Sequence, residues 1–373
     1  MSIVIFLIIL LILVLVHESG HFFTAKKFGI RVDEFGFGFP PKLFGYRYRE
    51  TEYTFNLLPL GGFVKIFGEN PDNENTNGPD RERSFVNKPR WQQAIVLFAG
   101  VFANFVLAWL LFSIGFMSGL PTAVGSESQG YPVYDVHTVI LSVMPNSPAE
   151  TAGLKSGDKI VSLLTVLFPG EVDKEGISDI NPETVKSFVI SHKDHAIRIG
   201  YIRGKNSEIQ YAELSPVVNV TGETPSIGIS MDQIGIAKLP FLKAFKEGAY
   251  LTCYLTKGTL SGLYGLITMG LQGRGSLASI TGPVGMVGIV NDAYKFGFVY
   301  LMSFAGLISV NLGIINLLPF PALDGGRLFF LLIEKIKGSR INPQVTNTAN
   351  MIGFGILLLL MLVVTYNDVM KLF

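Results

Sequence analysis

Four long apolar stretches dominate the chain, at roughly 2–25, 92–118, 296–318 and 350–367. Each approaches the twenty or so residues that a helix needs to cross a bilayer. The whole 373-residue sequence is 49% hydrophobic and 16% charged, with a mean hydropathy of +0.41. That is too apolar for an ordinary soluble protein, and it fits a polytopic membrane protein carrying a soluble insert. A net charge of +1 gives no reason to expect a nucleic-acid partner. A cleaved signal peptide suits residues 1–16 poorly, because they lack a charged leading segment and no small-x-small site precedes His17.

Lys and Arg predict the orientation. Residues 26–90 carry eleven of them, Lys26 to Arg90, and the third-to-fourth connection carries Lys335, Lys337 and Arg340. Both segments are expected in the cytoplasm, with the N-terminus, residues 119–295 and the C-terminus outside.

Inside the first apolar stretch lies His17-Glu18-Ser19-Gly20-His21. On a helix, His17 and His21 fall one turn apart on one face. Two imidazoles at that spacing suit a shared zinc ion, and the adjacent Glu18 suits a general base acting on an activated water. At 1.5 Å per residue, His17 lies roughly 22 Å along the helix, inside a hydrocarbon core about 30 Å thick and nearer the cytoplasmic side. The bland alternative is a polar helix end with two solvated histidines, but ionisable residues within a membrane span mark functional sites by default. The single cysteine, Cys253, excludes an internal disulfide and a cysteine-based zinc site. The remaining histidines, His137, His192 and His195, fall in the polar middle section, so a carboxylate is the expected third ligand.

A second motif closes the third apolar stretch: Asn316-Leu317-Leu318-Pro319-Phe320-Pro321-Ala322-Leu323-Asp324-Gly325-Gly326. Its prolines break the helix and free backbone groups at membrane depth, which is tolerated only where they are buried in protein or line a cavity. Asp324 is placed to complete a two-His, one-Asp zinc site with a fourth position for water. Read alone, it is better explained as the N-cap of a helix over 325–337; beside an intramembrane His-Glu-x-x-His, the ligand reading is favoured.

Three other segments have distinct patterns. Within 26–90, Phe35-Gly36-Phe37-Gly38-Phe39 and Tyr53-Thr54-Phe55-Asn56-Leu57 alternate with period two, and Gly61-Gly62 leads into Phe63-Val64-Lys65-Ile66-Phe67. These predict a small sheet dipping toward the membrane against the catalytic helices, or a cytoplasmic hairpin with no role. The polar run 69–83 reads as flexible chain. Residues 135–235 read as a soluble β-rich domain, in which Val143 to Ile160 gives strand, turn, short helix, glycine stop and strand. That run is similar to the PDZ core of bacterial envelope proteases, interrupted by an insertion over 164–181. Such a domain binds an extended peptide by strand addition or excludes large substrates by bulk. Residues 237–272 are amphipathic, with Lys238, Lys243, Lys246 and Lys257 among aromatics, and predict surface helices on the outer leaflet; the alternative is a fifth span through 248–271, against which Lys257 at its centre argues.

Taken together, the motifs resemble those of the site-2 protease family of intramembrane zinc metalloproteases, in its bacterial PDZ-containing branch. His17-Glu18-x-x-His21 is similar to the family's catalytic motif, and Asn316 to Gly325 to its N-x-x-P-x-P-x-L-D-G motif. Leu58 to Val64 resembles its membrane-associated β segment, Gly100 to Asn104 its G-x-x-x-N in the second span, and Ser279 to Gly285 its S-x-x-G-P segment. The chain has room for one PDZ-like domain where the best-known branch member has two.

The expected fold is therefore a polytopic α-helical membrane protein with four transmembrane helices, a membrane-associated β segment and an inserted PDZ-like α+β domain. Its expected parts are an N-terminal membrane part (1–118), an extracytoplasmic PDZ-like domain (119–235), interfacial helices (236–295) and a C-terminal membrane part (296–373). The resemblance implies Zn²⁺ held by His17, His21 and Asp324, with Glu18 as the base. It implies that the edge strand in 26–67, including Gly61, Gly62 and Phe63, pairs with an unwound substrate, and that Asn316 and Asn104 bond freed backbone; either asparagine also serves as polar glue between helices. The implied setting is the bacterial inner membrane and regulated intramembrane proteolysis. The implied partners are single-span membrane proteins (anti-sigma factors or remnant signal peptides), the lipid bilayer and a peptide ligand of the PDZ-like domain. The rival readings are a catalytically inactive membrane PDZ scaffold and a zinc transporter or sensor, whose polar residues would spread over several spans.

Overall fold

The computed structural model describes residues 2–70, 72–124, 130–168, 171–172, 177, 179–204, 208–218, 224–273 and 281–370. In chain order the elements are α1 (Ser2–Lys27), β1 (Val32–Tyr48), β2 (Thr51–Ile66), α2 (Asn73–Asn77), α3 (Arg90–Ser118), β3 (Leu120–Ala123), β4 (Tyr134–Val143), α4 (Pro148–Thr151) and β5 (Lys159–Phe168). There follow β6 (Glu171–Val172), α5 (Pro182–Ser191), β7 (Ile197–Ile202), β8 (Gln210–Leu214), β9 (Val217–Val218), β10 (Pro225–Ser226) and β11 (Ile229–Ala237). The chain ends in helices α6 (Phe241–Leu271), α7 (Pro283–Phe296), α8 (Phe298–Leu317), α9 (Asp324–Lys337) and α10 (Pro343–Met370). Ser279 and Ile280 of the S-x-x-G-P segment lie outside the described residues, as does part of the 164–181 insertion.

Two compact units emerge. The first comprises residues 1–114, 245–291 and 301–373. Among the described residues it holds four helices long and apolar enough to cross a membrane: α1, α3, α8 and α10. Their outward faces are apolar. Ile3, Val4, Ile8 and Ile12 on α1 and Leu359 and Leu362 on α10 stay about half or more exposed. Apolar surface on that scale is stable against lipid and not against water, so the protein is embedded in a membrane. The fourth helix starts earlier than its apolar stretch because Pro343 suits the first helical position and polar residues extend the first turns.

Between α1 and α3 the chain forms one long antiparallel ribbon, longer than the small sheet expected. Val32 pairs with Ile66, Phe37 with Gly62 and Tyr48 with Thr51, and β2 runs unbroken through Gly61-Gly62. Gly62 meets α1, where an added Cβ would lie 3.4 Å from Leu15 Cδ2 and 2.9 Å from Gly36 O. The base of the ribbon is buried with Phe22, Ala25, Ile30, Phe85, Val96 and Leu97. Its far half exposes Leu43, Phe44, Tyr46 and Tyr48. Glu50, in the turn, binds both Lys26 and Arg83. Burial pushes its carboxyl up, but those two cations hold it below the usual range.

The polar run after the ribbon is ordered, contrary to expectation. Asp72 accepts from Asn75 N while the Asn75 side chain accepts from Asp72 N, a reciprocal cap that starts α2. Arg31 reaches Asp80 at 2.5 Å. Residues 241–271 form one continuous helix where several surface helices were expected. Its first half packs in the bundle: Trp109 Nε1 donates to Phe245 O at 2.8 Å, and Leu251 and Leu255 sit against Ala108, Phe112, Val310 and Ile314. At the start of α7, Asp368 from α10 accepts the Gly285 N–H at 2.8 Å. A Cβ on Gly282 would lie 2.7 Å from that carboxylate, which explains the glycine there.

The second unit comprises residues 115–244 and 292–300. Its antiparallel sheet has the order β3-β11-β4-β5-β7-β8, with β6 paired to β5. Ile140 of β4, Ile160 and Leu163 of β5 (a register shift between Ile160 and Ser162 turns both inward), and Ile197 and Ile199 of β7 pack with Val185 and Phe188 of α5. The strand–turn–helix–glycine–strand reading of 143–160 is reproduced by β4, α4, Gly153 and Gly157 at positive φ, and β5. Buried Asp158 grips Arg203 with two bonds of 2.7 Å and accepts the Lys155 N–H, closing that turn.

Candidate metal centre

The His17-Glu18-x-x-His21 motif sits on α1, and its two imidazoles face α3 and α9. Nε2 of His17 and Nε2 of His21 are 3.1 Å apart. Asp324 Oδ2 lies 3.0 Å from the first and 3.2 Å from the second. Both histidines are buried, 6% exposed each. The three atoms thus form a near-equilateral triangle. Zinc bonds of about 2.0–2.1 Å in a tetrahedral site imply ligand–ligand edges of roughly 3.3 Å.

The hydrogen bonds around the triangle support the same reading. His21 Nδ1 lies 2.8 Å from Val96 O, so it carries the proton and leaves Nε2 a bare lone pair. Asp324 Oδ2 is buried without a hydrogen-bond partner. Lone pairs converging at 3 Å repel unless a cation sits among them, so the residues present fit zinc.

Asp324 is the first residue of α9. The N-cap is Leu323 and no side chain caps that helix, so the capping alternative for Asp324 is not used. The turn before it is tightly held. Ala322 takes φ of +76°, a left-handed conformation unusual for a residue with a Cβ. Its N–H donates to Asn350 Oδ1 of α10 at 3.1 Å. A Cβ on Gly325 would lie 2.2 Å from Leu317 O and one on Gly326 2.2 Å from Phe320 O. These two glycines let α9 start directly against the preceding turn.

Glycines also set the crossing of α1 and α3. A Cβ on Gly20 would lie 2.3 Å from Ala99 O, and one on Gly100 2.2 Å from His21 Nε2. The family resemblance placed Gly100 in a motif but did not reveal that it makes room for a histidine ring. The Val96 carbonyl left no sequence signal at all.

The remaining sequence-derived candidates are placed as follows. Glu18, beside the triangle, faces the backbone N–H of Val64 on β2 as well as His17, His21 and Asp324. Asn104 is fully buried on α3; its Nδ2 lies 3.2 Å from His17 Nδ1, and its Oδ1 has no partner. Asn316, in the last turn of α8, is half-buried, and its side-chain amide has no hydrogen-bond partner among the described residues. Gly61, Gly62 and Phe63 lie on β2, next to Val64. Phe63 covers Gly36, where a Cβ would meet its ring at 2.4 Å. Arg327, one turn after Asp324, pairs with Glu69 and lies within electrostatic reach of Glu18; the motifs did not single it out.

Two buried histidines and a glutamate on membrane-crossing α1, with Asp324 brought to them at the start of α9, form a group that could hold a metal ion in the manner of a metallohydrolase. Residues 5–360 match the profile of peptidase family M50. The chain is similar over its whole length to the zinc metalloprotease RasP of Geobacillus kaustophilus, 32% identical and covering 98% of that protein. It is also similar to the regulator of sigma-W protease RasP of Bacillus subtilis, 30% identical with 99% covered, and to the zinc metalloprotease RasP of Oceanobacillus iheyensis, 28% identical with 99% covered. The chain belongs to peptidase family M50, the site-2 proteases, and is a zinc metalloprotease embedded in the membrane.

Proposed function

We propose that the protein cleaves single-span membrane proteins within their transmembrane segments, with zinc held by His17 Nε2, His21 Nε2 and Asp324 Oδ2. The observation that carries this reading is the 3.0–3.2 Å triangle of ligand atoms next to Glu18 on a membrane-crossing helix. When bound, zinc supplies a Lewis acid that lowers the pKa of a water and polarises a carbonyl. Glu18 takes the proton that water loses as its oxygen bonds to the peptide carbon. The same carboxyl delivers that proton to the leaving nitrogen as the C–N bond breaks.

A transmembrane helix hides its peptide groups, so the substrate must unwind before cleavage. We assign the freed backbone to the ribbon near Gly61, Gly62 and Phe63 and to the unpaired amide of Asn316. Asn104 takes a different role from the one first expected. Rotating its amide puts Oδ1 on the His17 Nδ1–H, satisfies the buried oxygen and fixes the lone pair on Nε2. Asn104→Leu is expected to weaken zinc about 10–100-fold, while Asn104→Asp, which keeps the acceptor, holds it near wild type. Competition with a fluorescent chelator measures both.

The proposed topology puts the ribbon and α9 on the cytoplasmic side of a bacterial inner membrane and the second unit outside. The second unit serves as a PDZ-like domain that admits trimmed substrates, and its glycine-punctuated 153–158 turn supports that assignment. The similarity to a regulator of sigma-W protease supports anti-sigma factors, or remnant signal peptides, as substrates. The test is purified protein in lipid vesicles with a tagged single-span substrate lacking its outer domain. Cleavage inside the span, abolished by chelation and restored by zinc, is expected; cleavage that survives full zinc removal would overturn the reading.

A further inference from the structure

A cavity of about 520 Å³ lies beside α9, and no step of the proposed cleavage uses it. It is bounded by the segment leading into α3, the inner face of α9 and the first turns of α10. One wall is apolar, formed by Phe85, Leu97, Phe330 and Leu331. The rest is charged, with Lys88, Arg90, Arg327 and Arg340 set against Glu69 and Glu334.

The cations are not balanced. Glu69 is taken by Arg327. Glu334 accepts the Ile341 N–H at 2.9 Å and stands 3.9 Å from Arg90. Arg340 donates to two neutral oxygens, Val86 O and Asn87 Oδ1. Lys88 has no carboxylate partner among the described residues. Two membrane-crossing helices, α3 and α10, begin at Arg90 and Pro343 on the cavity wall, adding the positive ends of their dipoles. On its other face α9 exposes Phe329, Leu332 and Ile336, at 46%, 52% and 80%. That apolar face belongs against hydrocarbon, which sets the cavity at the bilayer surface.

Excess positive charge beside an apolar wall, between the ends of membrane spans, suits an acidic amphiphile. The volume is in the range of small-ligand sites, about 300–1,000 Å³. We propose that this cavity binds the headgroup of an anionic phospholipid, with the phosphate held by Lys88, Arg90 and Arg340 and the start of the acyl chain against Phe330 and Leu331. A zwitterionic lipid would bring its own cation among the arginines and bind less well.

The experiment uses the full-length, zinc-loaded protein in detergent. Thermal stability and lipid retention in native mass spectrometry are followed on adding phosphatidylglycerol, phosphatidylcholine or inorganic phosphate. Phosphatidylglycerol is expected to bind and raise the Tm, with phosphatidylcholine and phosphate giving little. Lys88→Gln should weaken phosphatidylglycerol roughly fivefold, and Lys88→Gln/Arg340→Gln roughly 25-fold, at unchanged zinc content. Lys88→Gln breaks no protein ion pair, so it remains informative if the double variant does not fold; Lys88→Arg should bind as wild type does. Equal binding of the two lipids, equal protection by inorganic phosphate, or undiminished phosphatidylglycerol binding by Lys88→Gln would overturn the proposal. Because binding is read without any substrate, its failure is separate from failure of the protease reading.

Discussion

A Glu18→Gln protein is expected to retain zinc and to cleave a single-span substrate roughly 10²–10⁴-fold more slowly than wild type. Glutamine keeps the shape of the side chain and still occupies the space facing His17, His21, Asp324 and the Val64 N–H. It cannot accept the proton that the attacking water must lose, so the loss falls on kcat. Single-turnover cleavage in vesicles, alongside metal analysis of the same sample, separates the two properties. Near-normal cleavage would mean that another group is the base. Lost zinc would mean that Glu18 holds the ligand cluster together, and the kinetic loss would then say nothing about proton transfer.

Gly100→Ala carries the second large effect, and it acts on metal retention. The new Cβ would stand 2.2 Å from His21 Nε2, 2.6 Å from Cε1 and 2.8 Å from Cδ2. The ring has little freedom to retreat, because its Nδ1 is bonded to Val96 O on the same helix that carries Gly100. Relief by moving α3 away from α1 would open the close packing of Gly20 on the Ala99 carbonyl. The expected result is a ring displaced from the triangle, zinc affinity lowered by at least about 10–100-fold, and no measurable cleavage without excess metal. Gly355→Ala is the control: nothing lies within 4 Å of a Cβ there, and both zinc and activity should be unchanged. Equal zinc affinity in Gly100→Ala and wild type would show that the α1–α3 crossing is looser than its geometry implies.

Both predictions start from motifs that were legible in the sequence, but only one could have been written from it. His17, Glu18 and His21 are related by helical spacing, and the polar trio stands out within an apolar run. Asp324 was legible as a candidate because prolines at membrane depth need a reason. Its motif alone favours an N-cap and only the intramembrane histidine pair favours a ligand; the structure places Oδ2 3.0 and 3.2 Å from the two histidines. The ribbon was read from its alternation, yet as a small sheet, because the alternating runs are short; cross-strand pairing that runs from Val32 with Ile66 to Tyr48 with Thr51 joins them into one long hairpin. The segment 69–83 looked flexible because it is polar, while its order comes from a local cap and from Arg31 reaching Asp80.

The sequence by itself determined what depends on local periodicity: four apolar helices, the pair of imidazoles one turn apart, the period-two strands, and the glycine-punctuated turn of the second unit. Tertiary structure alone decided which distant groups meet. Asn104 faces His17 from 87 positions away, the Val96 carbonyl sets the tautomer of His21, and Gly20 and Gly100 let two helices close on a ring. Arg327 finds Glu69 across 258 positions, and the cationic cavity beside α9 exists only because the starts of α3 and α10 converge there. Spacing along one helix or strand fixes which face a side chain takes, but what that face meets depends on how helices cross, and no single segment carries that information.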